Sequence, residues 1–126
     1  MATTLVDYTV IKDSPFELGT SGSGPHFFDF ELPASYVSTL SPILQFVVRG
    51  NLDDDYTFQV GFNDPDELQS KAALRYVCKN VESKIVSLHE VVSGSSLAPG
   101  KNRIYFRVNT GKVGFSDVVL WFQRNV

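Results

Sequence analysis

The sequence predicts an all-β fold, an antiparallel β-sandwich of the jelly-roll kind with about eight strands and one short helix. Apolar and polar residues alternate with a period of two in several short segments, as in strands that bury one face. Clusters of Gly, Pro, Asn and Asp separate these segments at roughly even spacing. Phe is common, with 10 residues, and aromatic side chains beside Val and Ile suit pleated strands.

The strand candidates follow one another along the chain without an internal repeat or a dividing linker. In order they are Leu5–Ile11, Phe27–Leu32, Ile43–Arg49, Tyr56–Phe62, Leu74–Lys79, Lys84–Val91, Arg103–Val108 and Asp117–Gln123. Alternation predicts which side chains of the clearest strands face the core: Phe28, Phe30, Leu32, Leu44, Phe46, Val48, Tyr56, Phe58, Val60, Phe62, Ile104, Phe106 and Val108. The 126 residues are therefore expected to form a single β-sandwich domain spanning 1–126.

The segments between the strands carry turn and helix signals. Gly19–Pro25 is rich in Gly and Ser and is predicted to be a flexible loop, and Gly50–Asp55 a hairpin loop. Pro99-Gly100 predicts a β-turn before the seventh strand, where Asn102 is expected to cap backbone groups. The start Asp64-Pro65-Asp66-Glu67 predicts the short helix, leading into the strand near Tyr76. A single helical turn is also expected within 33–41.

Composition and charge narrow the function classes. The chain is 43% hydrophobic and 20% charged, with a net charge of −3, which indicates a soluble globular protein without the basic surface of a nucleic-acid binder. No basic run or long apolar segment favours a membrane partner. No signal peptide is visible, so a cytoplasmic location is the default expectation, although a mature secreted protein would look the same.

Residues capable of catalysis are few and widely separated. The chain has one cysteine, Cys78, and two histidines, His26 in the predicted loop and His89 at the predicted end of a strand beside Glu90. No glycine elbow surrounds a serine, and Cys78 lies in an alternating segment that is typical of a structural thiol. We therefore expect a non-enzymatic protein, with a small hydrolase or isomerase as the remaining enzymatic alternative.

No cofactor is expected from the motifs. The histidines and the cysteine do not have the spacing of a zinc site, and the glycines of Ser21–Gly24 are followed by neither the lysine nor the helix of a phosphate-binding loop. Calcium in a loop is conceivable at Asp53–Asp55 or Asn63–Glu67, but these segments also suit a solvated turn and a helix start.

A polar sheet face is the first candidate for ligand binding. The side of the Arg103–Val108 strand that faces away from the core carries Arg103, Tyr105 and Arg107. If the central strands were its neighbours, they would add Gln45, Arg49 and Gln59 to the same face. Aromatic faces beside planar polar groups hold sugar rings. A solvated sheet surface, with the arginine stems covering Tyr105, is the alternative.

The last strand is apolar on both sides, with Leu120 and Phe122 on one side and Val119 and Trp121 on the other. A strand of this kind is covered on both faces. Trp121 can accordingly lie in the core, form a platform for a sugar, or join Val119 in an interface with another subunit.

The stretch from Leu97 to Val108, L-A-P-G-K-N-R-I-Y-F-R-V, resembles the "L-x-P-G-x-N-x-I-x-h-x-V" segment of galactose-binding-domain-like β-sandwiches. Phe58–Asn63 is similar to their "V-x-V-N-G" strand and Phe27–Pro33 to their early "Y-x-x-x-F-x-L-P" strand, although Asp64 replaces the final glycine. These sandwiches include carbohydrate-binding modules that accompany glycoside hydrolases. The resemblance implies a jelly-roll fold; ligand residues of the family lie in variable loops, and none is carried over.

These observations favour a non-catalytic binding module, with a carbohydrate or another polar ligand as its target. Tyr105, Arg103, Arg107, Gln45 and Arg49 are the candidate ligand-binding residues. The alternative is a structural or assembly protein that forms a homo-oligomer through Trp121 and Val119.

Overall fold

The computed structural model describes residues 3–19, 26–50, 56–64, 74–78 and 85–126. For residues 74–78 it describes the backbone and not the side chains. Nine β-strands and one 3₁₀ turn, Gly94–Ser96, lie within these ranges. The strands are β1 Thr4–Lys12, β2 Phe16–Gly19, β3 His26–Leu32, β4 Ile43–Gly50, β5 Tyr56–Phe62, β6 Leu74–Cys78, β7 Ile85–Val91, β8 Gly100–Thr110 and β9 Lys112–Asn125.

The strands form two antiparallel sheets. Sheet A has the order β1-β9-β4-β7, with β2 paired to β9 beyond the end of β1. Sheet B has the order β3-β8-β5-β6. Their inner faces pack together, so the domain is an all-β jelly-roll sandwich, as the sequence predicts.

The core lies between the sheets and is built mainly of aromatic rings. Phe115 of sheet A contacts the rings of Phe46, Phe58 and Phe106 at centroid distances of 6.2, 5.1 and 5.0 Å. Phe58 and Phe106 belong to sheet B, so these contacts join the two layers. Every residue predicted to face the core is buried except Phe28, which is half-buried and packs against the core.

The Pro-Gly turn is held by two asparagine side chains. Asn102 accepts a hydrogen bond from the backbone N–H of Ala98 at 2.9 Å and donates to the carbonyls of Ala98 and Gly100 at 2.7 and 3.1 Å. Asn63, at φ 61°, donates through Nδ2 to Asn102 Oδ1 at 3.0 Å. The predicted capping role of Asn102 is confirmed, and Gly100 has the positive φ of 88° that this turn requires.

The structure differs from the sequence prediction at three places. β2 was not predicted, because its four residues are too few to display a period. The segment 33–41 forms two hydrogen-bonded turns, Tyr36 N–H to Pro33 O and Leu40 N–H to Val37 O, instead of a helical turn. His26 begins β3 and packs on the rings of Phe16 and Phe28 at 6.0 and 5.0 Å, so it is not in a loop.

Several predicted features lie outside the described residues. They are the greater part of the Gly19–Pro25 loop, the 51–55 part of the hairpin loop, the short helix from Pro65 onward and the side chain of Cys78.

Candidate functional site on the outer face of sheet A

The outer face of sheet A carries an exposed aromatic pair. Tyr8 on β1 and Trp121 on β9 are register partners, and their rings lie 5.1 Å apart between centroids, tilted by 42°. Trp121 alternates with the buried Leu120 and Phe122 on β9, which places it on the solvent side of the sheet, and its register partner Tyr8 lies exposed on the same side. Trp121 is 38% exposed, so the core alternative for this residue is wrong and the platform and interface alternatives remain.

The indole ring of Trp121 is fixed by a hydrogen bond. Its Nε1–H donates to Gln45 Oε1 on the adjacent strand β4 at 3.0 Å. The amide NH₂ group of Gln45 is thereby oriented away from the indole on the same face. We call Trp121, Tyr8 and Gln45 the Trp121 platform.

Aliphatic side chains surround this platform. In register, one row across sheet A runs from Tyr8 through Trp121 and Ile43 to Val91, and the next runs from Val10 through Val119 and Gln45 to His89. Ile43, Val91 and Val10 are exposed. His89 lies within β7 rather than at its end. The face is therefore more apolar than a typical solvated sheet surface.

Arg49 lies at the other end of this face. Its register partner on β9 is Gly114, and the partner of Gly114 on β2 is Glu17. Gln45 and Arg49 are four residues apart on β4, so both lie on the face that carries Trp121. Arg49 lies at the end of this face that is remote from the platform.

The structure does not bring the predicted ligand-binding residues together. Arg103, Tyr105 and Arg107 lie on β8 in sheet B, whereas Gln45 and Arg49 lie on β4 in sheet A. The neighbours of β8 are β3 and β5. The predicted single polar face is therefore wrong: the residues occupy the outer faces of two different sheets, which point in opposite directions.

On the outer face of sheet B, Arg103 is engaged within the protein. Its Nε lies 2.7 Å from Asp29 Oδ1, and its guanidinium lies over the Phe27 ring at 3.9 Å from the centroid. The hydrogen bond from Arg103 lowers the pKa of the Asp29 carboxyl, and the pair with Asp29 raises the pKa of Arg103. A guanidinium held in this way is less available to an external ligand.

The other members of this face are largely covered. Tyr105 is 9% exposed although it lies outside the core cluster, and Gln59 is buried as well. Gln59 Oε1 accepts a hydrogen bond from Asn109 at 3.1 Å, while Nε2 has no partner within the described part of the chain. Tyr105 offers little ring surface, in contrast to Trp121.

Tyr8 was not among the predicted site residues. Val6, Tyr8 and Val10 share one side of β1 and Leu5, Thr9 and Ile11 the other. Within the predicted strand, the side with Val6, Tyr8 and Val10 is wholly apolar, whereas the other side also carries Asp7. This signal could have identified Tyr8 as a second exposed aromatic residue, but only the pairing of β1 with β9 places it beside Trp121.

For the described residues, no three His, Cys, Asp or Glu side chains come together as metal ligands would. Of the two loops considered for calcium, only Asn63 and Asp64 are described, and the Asn63 amide is used in hydrogen bonds to Ser96 O and Asn102. The described ranges also contain no helix with the length and apolar character to cross a membrane.

Comparison with solved structures identifies the type of fold. The chain is similar to a segment of dimeric latent PorU from Porphyromonas gingivalis, with a TM-score of 0.57 and 12% identity over 98% of this chain. It spans only 13% of that PorU chain. It is also similar to the xylan-binding module CBM15, with a TM-score of 0.54 and 6% identity over 95% of this chain and 97% of the module.

These similarities establish a carbohydrate-binding-module-like jelly-roll fold, in agreement with the sequence resemblance. At such low identity they describe the fold alone. No protein-family model matches the sequence, and no curated protein matches it.

Proposed function

We propose that residues 1–126 form one non-catalytic carbohydrate-binding domain that holds sugar rings on the Trp121 platform. The observation that carries this proposal is an exposed tryptophan fixed by a hydrogen bond to Gln45 and paired with an exposed tyrosine. Sugar rings have apolar C–H faces that stack on aromatic side chains and hydroxyl groups that need polar partners. The platform offers both kinds of partner on adjacent strands.

Rigidity supports the same conclusion. Tyr8, Gln45 and Trp121 all lie on strands of one sheet and not in loops. Side chains on a rigid sheet lose little conformational entropy on binding, which favours recognition of weakly interacting ligands such as neutral sugars. The Gln45 NH₂ group can donate to a ring hydroxyl while Oε1 continues to hold the indole.

Trp121 is the sole tryptophan of the chain, so its fluorescence reports on the platform alone. Titration with xylohexaose, cellohexaose or laminarihexaose is expected to give a saturable blue shift with at least one of them. Trp121→Ala should weaken that binding about 10-fold or more in calorimetry, because losing about 1.4 kcal/mol of stacking and burial corresponds to a factor of ten.

Phe27→Ala is the matched control, since Phe27 is an exposed aromatic residue on the outer face of sheet B. It should bind as the unmodified protein does. Binding that survives in Trp121→Ala but is lost in Arg107→Gln would move the site to sheet B, to the face that includes Arg103 and Tyr105. Failure of all three oligosaccharides to affect Trp121 would contradict the proposal.

A second function is favoured by the aliphatic surroundings of the platform. Val6, Val10, Ile43 and Val91 are exposed around Trp121, and Val119 lies between them. Apolar residues grouped in this way are typical of protein interfaces. The corresponding alternative is an assembly protein in which this face, including Trp121 and Val119, packs on a second copy of the chain.

In the assembly alternative, sedimentation velocity should show a reversible dimer whose fraction rises with protein concentration. Val91→Asp should abolish the dimer, because a charge buried at the interface is costly. Phe27→Asp, which places the same charge on sheet B, should leave it intact. A monomer at the highest concentration reached would exclude the alternative.

A further inference from the structure

A cavity lies on the same outer face of sheet A, at the end remote from the Trp121 platform. It has a volume of about 370 Å³, and its lining includes Phe16, Glu17, Val47, Arg49, Gly114 and Ser116. A second depression of about 230 Å³ adjoins it and shares Glu17, Arg49 and Gly114 while adding Lys112. We call the two together the Arg49 cavity.

Gly114 forms the floor of this cavity because it has no side chain. It lies between Glu17 and Arg49 in register, and its neighbours Val113 and Phe115 face the core, so a side chain here would project outward. A Cβ atom at this position would lie 3.5 Å from Arg49 O and 3.6 Å from Arg49 Cβ, which are ordinary contacts. The fold therefore tolerates alanine at this position. The absence of a side chain at Gly114 keeps the space above it open.

Among the described residues that line the cavity, Arg49 is the charged side chain without an ion-pair partner. Lys112 Nζ lies 3.0 Å from Glu17 Oε1, so these two charges offset one another. The guanidinium of Arg49 forms no hydrogen bond or ion pair with any described residue. Such a guanidinium can pair with an anion, and it matches a carboxylate with two parallel hydrogen bonds.

The backbone bends between the platform and the cavity. The register of β4 with β9 shifts between Gln45 and Val47, and Asp117 in the bulge has a φ of 53°. Bulges bend a strand and recur beside functional sites. From Ile43, beside Trp121, to Arg49, beside Gly114, β4 extends roughly 20 Å at the usual strand rise. A chain of several sugar rings can reach from one to the other.

We infer that the Arg49 cavity binds the carboxylate of an acidic sugar, a uronic acid, within the chain whose neutral rings lie on the Trp121 platform. Arg49 binds the carboxylate, and the ring occupies the space above Gly114 beside Val47, whereas the Phe16 side chain faces the core. This inference rests on the proposed function, because the platform supplies the reason to expect a sugar.

Glucuronate and glucose are the sharpest pair of probes, since they differ only in the carboxylate. Each is titrated into ¹⁵N-labelled protein while the backbone amides of Val113, Gly114 and Phe115 and the indole N–H of Trp121 are followed. Glucuronate should shift the Gly114 region at concentrations where glucose has no effect. Arg49→Gln should weaken glucuronate binding about 10-fold or more, and Gly114→Ala should weaken it while leaving the fold intact.

Lys101→Gln is the control for loss of one positive charge, since Lys101 lies on the outer face of sheet B. It should bind glucuronate within a factor of about two of the unmodified protein, because distant surface charges are screened. Equal responses to glucose and glucuronate, or an unchanged affinity in Arg49→Gln, would overturn the inference. So would inorganic phosphate binding as tightly as glucuronate, which would indicate a general anion site.

The Trp121 indole N–H and the Gly114 backbone amide distinguish an error in the proposed platform from an error in the proposed acidic-sugar site. If neutral oligosaccharides leave the Trp121 indole unaffected while glucuronate acts at Gly114 through Arg49, the proposed platform is wrong and the acidic-sugar site stands. If neutral oligosaccharides shift the indole but glucuronate shows no preference at Gly114, the platform stands and the acidic-sugar site is wrong.

Discussion

Replacing Phe115 by alanine is expected to lower the free energy of unfolding by about 3–5 kcal/mol, the usual effect of removing a buried phenylalanine side chain. Phe115 is 1% exposed. It contacts Phe58 and Phe106 of the opposite sheet as well as Phe46 and Phe16 of its own. Its removal would leave a cavity at the point where the two sheets meet.

Urea denaturation followed by circular dichroism would measure this effect. Phe27→Ala is again the matched control, because Phe27 is exposed and loses only surface contacts with the Arg103 guanidinium and the Tyr105 ring. Such a cation–π contact is worth about 0.5–1 kcal/mol at an exposed site. If both substitutions had equal effects, the packing of sheet A on sheet B around Phe115 would be wrong.

Asn102→Ala is expected to destabilise the domain by about 2–4 kcal/mol, since it removes several side-chain hydrogen bonds that contribute about 0.5–1.5 kcal/mol each. Asn102 is 3% exposed. Its removal would eliminate the hydrogen bonds that join Asn102 to the N–H and carbonyl of Ala98 and to the side chain of Asn63, which follows β5. The backbone of the turn would also no longer be held in position at the start of β8.

Asn109→Ala provides the comparison on the same strand. Asn109 is exposed, and its side chain makes one hydrogen bond to the described residues, to Gln59 Oε1, so a loss of about 1 kcal/mol is expected. Both variants can be compared with the parent protein by thermal and urea unfolding. Equal destabilisation by the two substitutions would contradict the role of Asn102 in holding the turn.

The two proposals concern the outer face of sheet A, but they depend on different residues of it. The platform requires an exposed indole beside Tyr8, and the cavity requires the guanidinium of Arg49 and the empty space at Gly114. A ligand that satisfies both is an extended polysaccharide with neutral and acidic sugars. An open, strand-built surface suits such a chain better than a single small molecule, which favours an enclosed pocket.

Alternation predicted the faces of individual strands well. Phe46 and Val48 on β4, and Ile104 and Phe106 on β8, are fully buried, because a sheet with one face on the core must alternate apolar with polar residues. The same reasoning placed Val119 and Trp121 on the side opposite Leu120, as the structure has them. The Pro-Gly-x-Asn turn was predictable because its residues act on their own backbone.

The candidate site was predictable only in part. Gln45 and Arg49 were identified, but they were combined with Arg103 and Tyr105 of the other sheet. The local sequence patterns of β4 and β8 do not show which strands pair with them. Glu17 and Gly114 were missed for the same reason, since their importance arises from the pairing of β2 and β4 on either side of β9.

The sequence by itself determined the all-β class, the inward and outward sides of the main strands and the Pro-Gly turn, because each depends on contacts between residues close in the chain. Only the tertiary structure decided that Trp121 is exposed beside Tyr8 and that Arg49 lines a cavity on the same face. Tyr8 and Trp121 are far apart in sequence and meet through the pairing of β1 with β9. Such pairings are selected by how the whole core packs, and no local pattern encodes them.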